Sequence, residues 1–302
     1  MNDHPLIDAL QLAPIKMGEE FSSDITGACF RKSFDHLLTK TAISHCEKPN
    51  KDEEYFEWID ILESVELAEN NRYTILELGA GFARWSIRAL RYALYKGITN
   101  CRAVAVEAEP THAKWARLAF ADNQIANMHF EIIEAGITDK GEKRHFYIQP
   151  SNDLPSETPN TWYGQSLAPP HHPERIQSLS SPYDGRQTYE ASCGWKTIEV
   201  PTVTLASLLD RETTVDLVDM DIQGEEVYVI AASLSQLNAK VKRLHIGTHS
   251  NEIDAELIQI LSKEGWKNKR TYLCRQAPET EYGKILFQDG VQTWLNPKFI
   301  SC

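Results

Sequence analysis

The sequence predicts an α/β fold, a mostly parallel sheet with helices on both faces, and three observations carry that prediction. Short, continuously apolar runs alternate with helix-like stretches from Tyr73 onward, the rhythm of parallel strands joined by crossover helices. The first of these runs enters Gly79-Ala80-Gly81 and then a helix-forming stretch, a turn at which backbone can approach a ligand closely. The chain has 302 residues, 42% of them hydrophobic and 25% charged, which suits a globular core of one large domain or two small ones.

Taken in order, residues 1–70 read as a polar, helical N-terminal cap without chemistry of its own. Within it, residues 55–67 are amphipathic, with Phe56, Ile59, Leu62 and Val65 at helical spacing. Residues 71–302 read as the core. Residues 74–78 form a strand, 82–96 a helix stopped by Gly97 at its C-terminal cap, and 103–107 a second apolar strand. Pro110 opens a helix over 111–124, and 129–134 is the third strand. An insertion at about 150–198 breaks the rhythm: it is rich in Pro, Ser and Gly yet holds Trp162, Tyr163, Tyr183, Tyr189 and Trp195. So long a stretch is either functional or disordered, and its aromatics favour a lid. The sheet resumes with a strand at 200–203, a short helix at 205–209 and a buried strand at 215–221. A helix from 225 to about 232, a strand at 241–246 and an amphipathic helix at 251–263 follow. The tail reads as two strands, 271–275 and 284–288, joined by a turn-rich loop.

Composition excludes several classes. No apolar run approaches the roughly 18 residues of a membrane span, and the first thirty residues lack a basic start and apolar block. A net charge of −12 argues against a nucleic-acid backbone as the main partner, because phosphate binding needs clustered Lys and Arg. Six cysteines are scattered without a CxxC pair; they read as free thiols of a protein in the reducing cytoplasm, not as staples or zinc ligands.

The turn at 79–81 carries the functional signal. Dinucleotide enzymes use such a turn for a pyrophosphate and want G-x-G-x-x-G. Here Arg84 stands at the third glycine position and Glu77 stands two residues before Gly79. An acid there repels a pyrophosphate and suits a cationic ligand such as the amino group of S-adenosylmethionine. Glu107, at the end of the second strand, is placed to accept hydrogen bonds from ribose hydroxyls.

In this order the segments resemble the FkbM-type branch of the class I S-adenosylmethionine-dependent methyltransferases: TILELGAGFARWS (74–86), AVAVEAEP (103–110), HFEIIEAGITDKGEKRHFYI (129–148), VPTVTLASLL (200–209), VDLVDMDIQGEE (215–226), LHIGTHSNEI (244–253) and FQDGVQTWLNP (287–297). The resemblance implies a Rossmann-like, doubly wound sheet of seven strands with the last reversed, and methyl transfer to a hydroxyl oxygen. It implies cofactor contacts at Glu77, Gly79, Gly81 and Glu107, an adenine pocket near Ala135 and Gly136, and an active-site acid at Asp221. The chain departs from the family at Asp219, where a lysine is common, so the local electrostatics differ.

A hydroxyl acceptor needs a general base within hydrogen-bond reach. Asp221 and His249 are the candidates, both at C-terminal strand edges. Asp219, Asp221, Glu225 and Glu226 lie close in sequence and could raise one another's pKa or hold Mg²⁺. The last two equally suit the first turn of a helix. Mg²⁺ is not favoured, and no residue is assigned as a metal ligand. His245 and His249 would lie about 13 Å apart in an extended segment, so His245 reads as a strand residue. Trp162, Tyr163 and Trp195 could stack on a sugar or other small acceptor. The rival functions are an NAD(P)-dependent oxidoreductase and a non-catalytic binding module on the same fold.

Overall fold

A computed structural model describes residues 2–15, 18–34, 48–125, 129–150, 165–169, 177–179 and 182–299. Its centre is a seven-stranded sheet built from β1 (Arg72–Leu78), β2 (Asn100–Glu107), β3 (His129–Glu134), β4 (Leu217–Met220), β5 (Arg243–Thr248), β6 (Lys267–Tyr272) and β7 (Gly290–Leu295). The spatial order is β6-β7-β5-β4-β1-β2-β3. The pairings among β1 to β5 are parallel. β7 runs antiparallel to both β5 and β6, so the last strand is the reversed one. This is the Rossmann-like, doubly wound sheet expected of the chain.

Alternation sends successive strand residues to opposite faces. Ile75, Ala103 and Ala105 join one hydrophobic cluster, and Leu76, Leu78, Val104 and Val106 join the other. The first cluster is closed by α1 (Pro5–Ala9), α2 (Glu54–Glu66), α3 (Arg84–Tyr95) and α4 (Pro110–Asp122), the second by α5 (Leu205–Asp210), α6 (Glu226–Lys240) and α7 (Asn251–Lys263). The N-terminal segment therefore shares its core with the sheet. It contains a hairpin, Phe21–Ser23 with Cys29–Arg31, besides the expected helix, and in α2 the residues Phe56, Ile59, Leu62 and Val65 are all buried.

Three expectations need correction. The helix read as 225–232 runs on to Lys240. The stretch between 150 and 198 is not wholly irregular: Arg144–Pro150, Trp195–Val200, Thr188–Glu190 and Gln177–Ser178 make a small antiparallel sheet. In the tail, the strand read at 284–288 is displaced to Gly290–Leu295; Gly283–Lys284 pairs in a short hairpin and Phe287 makes a single bridge to Gln276. β7 escapes a hydrophobicity reading because its middle is Gln292-Thr293, both fully buried. They are buried as hydrogen-bonded polar groups: Gln292 donates to Asp254 and accepts from Trp294, and Thr293 donates to Asp60.

Candidate active site

A cavity of about 690 Å³ opens at the carboxyl ends of β1, β2 and β4, the edge at which ligands bind in open α/β sheets. Its floor is the turn that follows β1. Gly79 has φ +80°, and a Cβ placed there would lie 1.8 Å from the carbonyl oxygen of Asp221. Only glycine lets the ends of β1 and β4 come this close. The N–H groups of Gly79 and Ala80 both donate to the Val106 carbonyl at 3.0 Å. Gly81, also at positive φ, donates its N–H to Glu107 Oε2 at 2.6 Å, and the other oxygen accepts from the Glu109 N–H at 2.7 Å. Burial pushes the Glu107 carboxyl up to about 8.

Glu77 has a structural role that its sequence position does not reveal. The N-cap residue of α3 is Ala83, which has no side-chain acceptor. Glu77 supplies the cap instead, accepting from the N–H groups of Trp85 and Ser86 at 3.3 and 2.8 Å. Burial, then the nearby charge of Asp219, push its pKa up to about 7. Ala135 and Gly136 line the cavity beside Leu167. A Cβ on Gly136 would approach the Leu167 side chain to 3.0 Å. Arg84, at the third glycine position, pairs with Glu54 at 2.6 Å.

Asp221 follows the end of β4 and its side chain is 58% exposed, opening onto the cavity. His249 lies behind it and is not part of the cavity wall. Its Nδ1 is 2.9 Å from Glu226 and its Nε2 is 3.1 Å from Asp221. Gln223 donates its side-chain amide to Asp221 at 3.2 Å. Burial would lower the pKa of His249, but hydrogen bonds to the flanking carboxylates of Asp221 and Glu226 push it up to about 11. A ring that keeps its proton at neutral pH has no lone pair to take another, which speaks against the expectation that His249 is a general base. In return, although burial would raise the pKa of Asp221, His249 holds it below the usual carboxylate range, and Asp221 stays ionised.

Nor do Asp219, Asp221, Glu225 and Glu226 form one cluster. Glu225 pairs with Arg144 at 3.1 Å, and Glu226 accepts from the Gly224 N–H and holds His249. Asp219 instead meets Glu57 of α2, with which it shares a hydrogen bond, and His245 of β5. His245 Nδ1 lies 2.7 Å from Asp60, also of α2. Asp60 is fully buried and held by Arg243 at 2.6 Å and Arg270 at 3.2 Å. The segment read as a cap without chemistry thus supplies cavity-wall residues and the anchor of the network beneath. The sequence signal was Asp60, an acid amid the apolar spacing of α2.

Of the aromatics singled out in the insertion, Trp162 and Tyr163 lie outside the described residues. Trp195 packs edge-on to Tyr147, ring centroids 6.0 Å apart, and does not line the cavity, which corrects its expected contact with the acceptor. Phe146, Gln165, Ser166 and Leu167 bring this region to the cavity instead. The aromatic walls come from Trp58 and Trp85, with the Arg88 guanidinium 4.2 and 4.3 Å from their ring centroids.

The sequence profile of the methyltransferase FkbM domain matches residues 79–272, more than half of the chain. The chain belongs to the FkbM methyltransferase family. A protein of Jannaschia sp. (strain CCS1), named for methyltransferase activity, is 27% identical over 210 residues, covering 70% of this chain and 67% of that one. Among solved structures, the FkbM methyltransferase of Methylobacillus flagellatus KT aligns at 13% identity and a TM-score of 0.41, over 74% of this chain and 44% of that one. A precorrin-6y C5,15-methyltransferase from Geobacter metallireducens GS-15 aligns at 12% identity and a TM-score of 0.42, over 83% and 93%.

Family membership makes the reaction a methyl transfer, removes the oxidoreductase reading and implies S-adenosylmethionine as donor. The residues of this FkbM methyltransferase fit that donor. The turn at 79–81 has no side chain where Gly79 closes on β4, and the Glu107 carboxylate faces the same turn. No helix among the described residues is long and apolar enough to cross a membrane.

Proposed function

We propose that this methyltransferase acts on a hydroxyl oxygen of a small or glycan acceptor, with Asp221 receiving the hydroxyl proton. One observation carries the reading: the Asp221 carboxylate opens onto the cavity, while its backbone carbonyl is locked against the glycine turn that would hold the donor. When bound, S-adenosylmethionine supplies a methyl carbon whose bond to sulfur breaks as its bond to the acceptor oxygen forms. Glu107 would accept hydrogen bonds from its ribose hydroxyls, Glu77 would set an acid near its amino group, and Ala135 and Gly136 would hold the adenine. His249 fixes the direction of Asp221 and keeps it charged, so the proton leaves the acceptor toward a carboxylate already in place.

The acceptor class is supported by size and charge. The cavity lies within the range that buries a drug-sized ligand, leaving room beside the donor for a sugar-sized group. Glu54, Glu57, Asp219, Asp221 and Asp289 line it, an arrangement that repels phosphates and speaks against nucleic acid. A lid role for the insertion is supported by Gln165, Ser166 and Leu167 in the cavity wall; residues 151–164, 170–176 and 180–181 lie outside the described residues. A cytoplasmic location is supported by Cys101, Cys193 and Cys274, which are free thiols. The test is a screen of hydroxylated sugars and natural products with isotope-labelled donor, followed by mass and NMR assignment of the methylated atom. Asp221→Asn should reduce kcat by about 10²- to 10⁴-fold while keeping affinity for S-adenosylhomocysteine. A methyl group on nitrogen or carbon, or near-normal turnover by Asp221→Asn, overturns the reading.

A further inference from the structure

We propose that Glu57, Asp219 and His245 form a binding site for one divalent transition-metal ion of the Mn²⁺ or Zn²⁺ kind, set in the floor of the cavity. This goes beyond the methyl-transfer reading and does not depend on it. One ligand atom from each of the three side chains lies within 4.8 Å of the others, and all three residues line the cavity. They come from α2, β4 and β5, so only the folded chain assembles them.

The surroundings distinguish the group from a chance cluster of acids. His245 is 4% exposed, and its Nδ1 is committed to Asp60 at 2.7 Å. That leaves Nε2 as the nitrogen able to coordinate. A carboxylate on the far nitrogen is the partner that metal-binding histidines use to fix ring orientation and raise ligand basicity. Asp60 is itself anchored by Arg243, Arg270 and Thr293, so the imidazole is rigidly held.

Charge arithmetic points the same way. Asp219, buried, and Glu57, half-buried, carry −2 between them when both are ionised, and desolvation makes that state costly, most of all for Asp219. A proton shared between Glu57 and Asp219 neutralises half of it; a divalent cation neutralises all. One nitrogen and two carboxylate oxygens suit Mn²⁺ or Zn²⁺, whereas Mg²⁺ and Ca²⁺ prefer all-oxygen sites. Three protein ligands leave coordination positions open toward the cavity, the pattern of a reactive and not a structural site.

The experiment is equilibrium dialysis of the chelator-stripped, full-length protein against Mn²⁺ or Zn²⁺ alone, read by elemental analysis and, for Mn²⁺, by electron paramagnetic resonance. One equivalent should bind. Asp219→Asn and Glu57→Gln should each weaken binding at least tenfold, and Asp60→Asn by about 10- to 100-fold. Asp221→Asn should leave the stoichiometry unchanged. Circular dichroism and S-adenosylhomocysteine binding establish that each variant is folded, and His245→Gln stands in for any that is not. The proposal is overturned if the native protein binds no ion at millimolar metal, if Asp219→Asn and Glu57→Gln bind as well as the native protein, or if Asp221→Asn abolishes binding.

Discussion

Replacing Gly79 by alanine tests the central contact of the site. The new Cβ would lie 1.8 Å from the Asp221 carbonyl oxygen. Real Cβ contacts begin at about 3.0 Å, so the ends of β1 and β4 must part by about 1.2 Å, the difference of those two distances. Both partners are backbone, and no side chain can rotate away. The movement strains the 2.9 Å bond from the Asp221 N–H to the Leu78 carbonyl and the 3.0 Å bond from the Gly79 N–H to Val106. A left-handed alanine costs about 1–2 kcal/mol, and each buried hydrogen bond left unmade about 1–3 kcal/mol. With both bonds affected the sum is about 3–8 kcal/mol, a large part of the roughly 5–15 kcal/mol that holds a domain together. At about 2–4 °C per kcal/mol, the melting temperature should fall by roughly 6 °C or more. Gly97→Ala is the control. Gly97 has φ +79° but nothing within 4 Å of its absent Cβ, so it pays only the conformational cost, about 1–2 kcal/mol. Differential scanning fluorimetry and calorimetric titration with S-adenosylhomocysteine read both variants. If Gly79→Ala melts within about 2 °C of Gly97→Ala and binds the product as the native protein does, the close approach of β1 and β4 is not what shapes the donor site.

Three further outcomes follow from the electrostatics. Burial lifts Glu107 to about 8, and ribose hydroxyls donate to its ionised form, so donor affinity should rise through pH 8 and level about one pH unit above it. Glu107→Gln should weaken binding and abolish that rise, measured by titration calorimetry across the pH range. His249 holds its proton to about 11 in the fold against 6.5 for an ordinary histidine. Its stabilisation is complete below about pH 6.5 and fades as pH climbs toward 11, so the native protein loses melting temperature between pH 7 and 10 and His249→Ala loses less over that interval. Asp60→Ala strands the buried Arg243 and removes the partner of His245; breaking such a pair costs about 3–5 kcal/mol, which chemical denaturation should register, whereas Asp60→Asn should cost less.

Local signals made the nucleotide-binding half of the fold legible. The apolar runs of β1, β2 and β4 are buried on both faces and need no partner to be recognised. Gly79 and Gly81 mark the turn because no other residue type takes its backbone there. β7 was misplaced because its buried centre, Gln292-Thr293, is polar and becomes a core only through Asp254, Trp294 and Asp60. His249 was legible as a site neighbour but not as an imidazolium, since its charge depends on Asp221 and Glu226 arriving from two other segments.

What the linear sequence settled, then, was everything governed by neighbours a few residues apart: strand and helix periodicity, the glycine turn, and the acids that follow β1, β2 and β4. The tertiary structure decided what those acids do. Glu77 became a helix cap because Ala83 cannot serve as one, and Asp219 found Glu57 and His245 because the sheet order sets β4 beside β5 with α2 packed across them. A side chain's charge and partners depend on distances of a few ångströms between segments up to some 190 residues apart, and only folding determines those distances.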